Sequence, residues 1–213
     1  MKKVSLILIV VVMTAMMLSS FGGGASTEVT IGKQVWMTEN LNVDKFRNGD
    51  PIPEAKTDKE WSKAGKNGQP AWCNYNNDSS NGNRYGKLYN WFATNDPRGL
   101  APEGWKIPTD EDWRRLTDFL GGQEESTGKK MQSTFGWADN ENGTNESGFS
   151  SFPAGNRSDI GNFGDSGVEG SWWSSTEYGK EVAFLLTIRG WFTAPDIYSL
   201  DKKSGFSVRC LRD

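Results

Sequence analysis

Six residues in the C-terminal half have the types needed to hold a flat ligand. Trp172 and Trp173, with Trp191 further along, offer aromatic faces, and Arg157, Glu177 and Tyr178 flank them with groups able to make directed polar contacts. Flat apolar faces beside a few polar groups are the usual physics for holding a sugar ring or an aromatic side chain in a shallow site. Neighbouring residues on a strand point to opposite faces, so at least one of Trp172 and Trp173 is expected in the core. A second cluster runs from Asp139 to Glu146 and gathers oxygen atoms around Gly143. Asp139, Glu141 and Asn145 are its candidate calcium ligands, since a hard cation takes oxygen donors, although the spacing is not that of an EF-hand and a solvated polar loop is the alternative.

Other chemistries are closed off by composition. The 213 residues include no histidine, so neither a Ser-His-Asp or Cys-His relay nor an H-E-x-x-H zinc site can be built within the chain. Cys73 and Cys210 lack the cation-rich setting that would lower a thiol pKa for catalysis. Acids are numerous enough to hide a glycosidase pair, but no two can be placed at a defined separation from sequence. With 24 Lys and Arg against 27 Asp and Glu and no basic run beyond pairs, no electrostatic footprint for nucleic acid is present.

The first residues bear on the compartment. Met1, Lys2 and Lys3 are a charged start, Val4 to Leu18 an apolar stretch, and Ser19 to Ser26 a small-residue tail. This is the three-part pattern of a secretory signal peptide, read here as residues 1–26, and its apolar run falls short of the ~20 residues that cross a bilayer. No cysteine near the tail would accept a lipid. The mature chain is expected to be exported to the periplasm, cell surface or medium and not to span a membrane. In an oxidising compartment Cys73 and Cys210 become a candidate disulfide, worth ~4–5 kcal/mol in the chain-entropy model; two buried thiols are the alternative.

The elements that must position these residues are legible in part. Val29–Ile31 and Gln34–Met37 around Gly32-Lys33 predict a hairpin. Asn76 to Asn83 reads as turn and loop chemistry. Leu88, Trp91 and Phe92 at i, i+3 and i+4 predict a short helix within Gly86 to Thr94, stopped by Asn95-Asp96-Pro97. Thr109 as cap, Asp112 as the reciprocal partner, acids in the first turn and a Trp113-Leu116-Leu120 stripe predict a helix ended by Gly121-Gly122. Phe135 to Gly170, rich in Gly, Asn and Ser with isolated aromatics, predicts ordered irregular loop. Ser171–Ser175, Val182–Trp191 and Gly205–Leu211 predict strands. The 26 aromatics, at ~150–250 Å² each, promise a core rich in rings.

Five segments together resemble the Fibrobacter succinogenes major paralogous domain family, abundant in envelope and secreted proteins of Fibrobacter and Bacteroidota. They are residues 34–42 (QVWMTENLN), 85–91 (YGKLYNW), 101–109 (APEGWKIPT), 172–177 (WWSSTE) and 205–210 (GFSVRC). The resemblance covers residues 28–213. More remotely, residues 107–113 (IPTDEDW) and 205–209 (GFSVR) resemble the formylglycine-generating, sulfatase-modifying type of C-type lectin fold. That likeness implies an α+β, C-type lectin-like domain over 27–213, with short helices flanking small antiparallel sheets and long ordered loops. Those enzymes hold copper with a cysteine pair, and nothing here matches that pair, so the resemblance supports the fold and speaks against the activity. The expectation is a non-catalytic module recognising a glycan or an envelope protein, with no cofactor beyond possible calcium. A structural envelope component and a hydrolase are the alternatives.

Overall fold

The computed structural model describes residues 28–213. The expected signal peptide, 1–26, lies outside the described residues. The chain is mixed α and β, with short helices and small antiparallel sheets. In order the elements are β1 (Glu28–Ile31), β2 (Gln34–Met37), α1 (Asp58–Lys66), β3 (Trp72–Cys73), α2 (Ser79–Tyr85), β4 (Leu88–Asn90), α3 (Trp91–Thr94), β5 (Trp105–Lys106), α4 (Asp110–Leu120), α5 (Glu125–Met131), β6 (Ala154–Arg157), β7 (Phe163–Ser166), β8 (Glu169–Glu177), β9 (Val182–Arg189), β10 (Asp196–Asp201), β11 (Gly205–Phe206) and β12 (Leu211–Arg212). They form three sheets ordered β1-β2-β12-β5, β10-β9-β8 and β3-β4-β11-β6-β7.

The opening hairpin forms as expected, with Gly32 at φ 62° in the turn. Helix α4 also forms where the capping signal puts it. The Thr109 side chain accepts from the Asp112 amide and the Asp112 carboxylate accepts from the Thr109 amide. Burial opposes ionisation of Asp112, yet the hydrogen bonds from Thr109 and Lys106 hold its carboxyl below the usual range. The face of α4 that carries Trp113 and Leu116 is buried, and the Trp113 ring stacks on Trp36 at 4.6 Å. Phe149 meets both rings and Trp172 edge-on.

Three expectations need correction. Leu88 and Trp91 do not share a helix: residues 88–90 are strand β4, and α3 begins only at Trp91, capped by the Asn90 side chain. Residues 76–83 are not all turn, because Asp78 caps α2 by accepting from the Ser80 amide. Inside the expected loop 135–170, β6 and β7 pair with each other, and β6 also pairs with β11.

Candidate functional site

The six aromatic and polar residues expected to form a site do not converge. Trp172 and Trp173 are both fully buried. Strand β8 is covered on both faces: Trp172 enters the cluster of Trp36, Trp113 and Phe149, while Trp173 enters the one containing Tyr89, Phe206 and Val208. Each indole N–H is bonded inside, Trp172 to Asn40 Oδ1 at 2.8 Å and Trp173 to the Tyr89 carbonyl at 2.8 Å. Arg157 is fully buried too. Its guanidinium lies over the Trp61 and Phe163 rings, and its N–H groups go to the Gly161 and Ala55 carbonyls and to Asp58.

Glu177 pairs with Lys202, whose ammonium also binds the Gly179 and Lys180 carbonyls and so clamps the β8–β9 turn. Tyr178 and Trp191 are exposed, at 67% and 63%. They sit beyond opposite ends of β9, whose 8 residues span ~23 Å at ~3.3 Å per residue.

Two of the three candidate calcium ligands already have side-chain partners. Glu141 pairs with Lys129 at 3.0 Å, and Asn145 exchanges two hydrogen bonds with Ser150. Asp139 lies in a short 3-10 turn at φ 51°. Among the described residues no three of His, Cys, Asp or Glu gather as metal ligands.

The expected disulfide is not formed. Cys73 on β3 and Cys210 before β12 are free thiols buried in separate apolar clusters. Burial pushes both up to about 12. Mass mapping without reductant should therefore find no linked Cys73–Cys210 peptide, and alkylation should reach either thiol only after denaturation. A linked pair would overturn this placement.

A different set of residues does converge. Tyr85, at the end of α2, with Phe135 and Phe152 from the long loop, lines a cleft of about 320 Å³, within the range of small-ligand pockets. Phe152 lies 5.4 Å from Phe135 and 6.2 Å from Tyr85, ring centre to ring centre. Glu39, Asn83 and Arg84 stand exposed at the rim, and the Arg84 guanidinium rests over the Tyr85 ring. No ion pair engages Glu39 or Arg84 among the described residues. The Asn42 carbonyls are held by Lys87, which itself lies over Trp72.

Beneath the cleft, Asn40 ties its walls together. Its amide donates to the Tyr85 carbonyl at 2.8 Å, and its oxygen accepts from Trp172 and from two N–H groups of Arg209. Gly86 permits this approach, since at φ 79° a Cβ there would fall 2.7 Å from Asn40 Cβ. Residues 29–212, which carry all of this geometry, match the model of the Fibrobacter succinogenes major domain.

The chain belongs to that family.

No curated protein and no solved structure matches the chain. In this Fibrobacter succinogenes major domain, Asn40 falls in the segment 34–42 and Tyr85 in the segment 85–91 that carry the resemblance. Their roles escaped sequence reading because both act through contacts far apart in the chain. Phe135 and Phe152 carried one signal, aromatic rings in a loop too polar to bury them unaided. No helix among the described residues is long and apolar enough to cross a membrane.

Proposed function

We propose that this domain is a non-catalytic recognition module, exported by residues 1–26 and C-type lectin-like in architecture, which holds a glycan in the Tyr85–Phe135–Phe152 cleft. The observation that carries the reading is the cleft itself: three rings in a row, with Phe152 against both Phe135 and Tyr85, and exposed polar groups at their rim. Ring faces take the apolar face of a pyranose, and Glu39, Asn83 and Arg84 offer acceptors and donors to its hydroxyls. Glu39 is the one acid among the lining residues, whereas glycoside hydrolysis in its usual form needs two carboxyl groups. The architecture is supported by the N-terminal hairpin and the last strand sharing one sheet, with short helices and long ordered loops around it.

The test is a glycan-array screen of residues 27–213 followed by calorimetry on the ligands retained. Phe135→Ala should lower affinity by at least ~2 kcal/mol, as loss of an aromatic anchor does. The melting temperature should barely move, because Phe135 is more than half exposed. If no glycan is retained, or the variant binds like the unaltered chain, a structural envelope role replaces this reading.

A further inference from the structure

Helix α1 carries a second feature that shares no residue with the cleft. A groove of about 460 Å³ runs between α1 and the turn bearing Ile160. Lys59, Lys63 and Lys66 line it, spaced i, i+4 and i+7 on one helix face, so their positions rise ~6 and ~4.5 Å along the axis. Ser62 and Asn67 lie among them, and Ile160 supplies an apolar wall.

The acids of α1 leave these charges uncompensated. Asp58, which also lines the groove, gives its carboxylate to the buried Arg157 guanidinium. Glu60 turns back to accept the Lys56 and Thr57 amides as the reciprocal half of the helix cap. Nearby Lys203, packed against Gly65, has partners in Asp201 and Glu181. Asp159 beside Ile160 is the acid of that turn, and its backbone carbonyl accepts from Ser62. Among the described residues Lys59, Lys63 and Lys66 have no such partner. In a chain of net charge −3, this is a local excess of cations.

We infer that the groove is a docking rail for a linear acidic polysaccharide with one carboxylate on each sugar ring. Cations set in a row suit a repeating anion, whereas a compact phosphate would call for donors converging on one point. Asn67 is placed to bond ring hydroxyls, Ser62, whose own proton goes to the Asp159 carbonyl, to accept from one, and Ile160 to pack against the apolar face of a ring.

The probe is polygalacturonate, with its methyl-esterified form as the uncharged control and dextran sulfate as the sulfated one. The unaltered domain should bind polygalacturonate, and more weakly as salt rises from about 0.01 to about 0.15 M and the screening length falls from ~30 to ~8 Å. Replacing Lys59, Lys63 and Lys66 together by Gln, a good helix former, should lower affinity at least ~10-fold. The same exchange at Lys33, Lys45 and Lys180 should change it by less than ~3-fold. Should the triple variant melt early, Lys63→Gln alone is expected to lose ~2- to 3-fold. Phe135→Ala should bind polygalacturonate unchanged, which keeps this outcome separate from that of the cleft. The rail is overturned if polygalacturonate does not bind at low salt, if the control lysines matter as much, or if the esterified or sulfated polymer is preferred.

Discussion

Arg209→Ala is expected to cost about 4 kcal/mol or more, a large part of the ~5–15 kcal/mol that holds a domain of this size folded. Arg209 is fully buried, and among the described residues no carboxylate bonds its guanidinium. Neutral oxygens take the N–H groups instead: Asn40 Oδ1 and the backbone carbonyls of Met37, Phe149 and Ser150. The Phe149 ring lies against the cation at 4.6 Å. Burial pushes the guanidinium down to about 9, still above neutral pH, so the group stays charged and donates throughout the physiological range. Truncation would strand the Met37 and Phe149 carbonyls in the interior, each at ~1–3 kcal/mol, leave the half-buried Ser150 carbonyl without this donor, and release Asn40 from two of its donors. Arg209→Lys should recover only part of the loss, because one ammonium cannot reproduce the planar fork. Urea denaturation of the three proteins measures this. A cost below ~1.5 kcal/mol for Arg209→Ala would mean that water satisfies these carbonyls and that the node does not hold the cleft walls together.

The parts of the fold legible in the sequence were those set by neighbours in the chain. Thr109 and Asp112 are three residues apart, and the stripe from Trp113 repeats at helical spacing, so α4 needed no knowledge of its partners. The Thr57–Glu60 capping box that starts α1 was equally local and was missed, since the segment after it has little apolar periodicity beyond Trp61. Asn90 deceived the reading in another way. It closes strand β4 and caps α3 with the same side chain, which also accepts from the Ala71 amide, so a strand and a helix fused into one false helical stripe. Residues 205–211 alternate as one strand should, yet they serve three sheets in turn. Phe206 pairs with Tyr89, Ser207 bridges Trp172, and Leu211 pairs with Trp36 and Lys106. Alternation announces extended chain; it does not say which strand lies alongside. The cleft was hidden for the same reason, because Asn40, Tyr85, Phe135 and Phe152 meet only after the chain has folded.

Trp172→Ala and Trp173→Ala are each expected to cost ~3–5 kcal/mol, whereas Trp191→Ala should stay within ~0.5 kcal/mol. The two adjacent tryptophans fill different clusters, so each leaves its own cavity, while Trp191 is mostly in solvent. Their couplings should differ as well. Trp172 and Arg209 donate to the same Asn40 oxygen, so a double-mutant cycle between Trp172→Phe and Arg209→Lys should show an interaction energy of at least ~0.5 kcal/mol. Trp173 donates to the Tyr89 carbonyl and shares no hydrogen-bond acceptor with Arg209, so the matching cycle should be closer to additive. Binding data on the same proteins then separate two ways of losing a ligand. Trp172→Phe loosens Asn40, which holds the Tyr85 carbonyl, and should weaken the proposed glycan binding in the cleft while the protein is still folded. Trp173→Phe should leave binding in the folded protein intact. If Trp173→Phe weakens binding as much as Trp172→Phe at equal stability, the cleft does not depend on the Asn40 node, and its walls must be held by the packing of the Tyr89–Phe206 cluster instead.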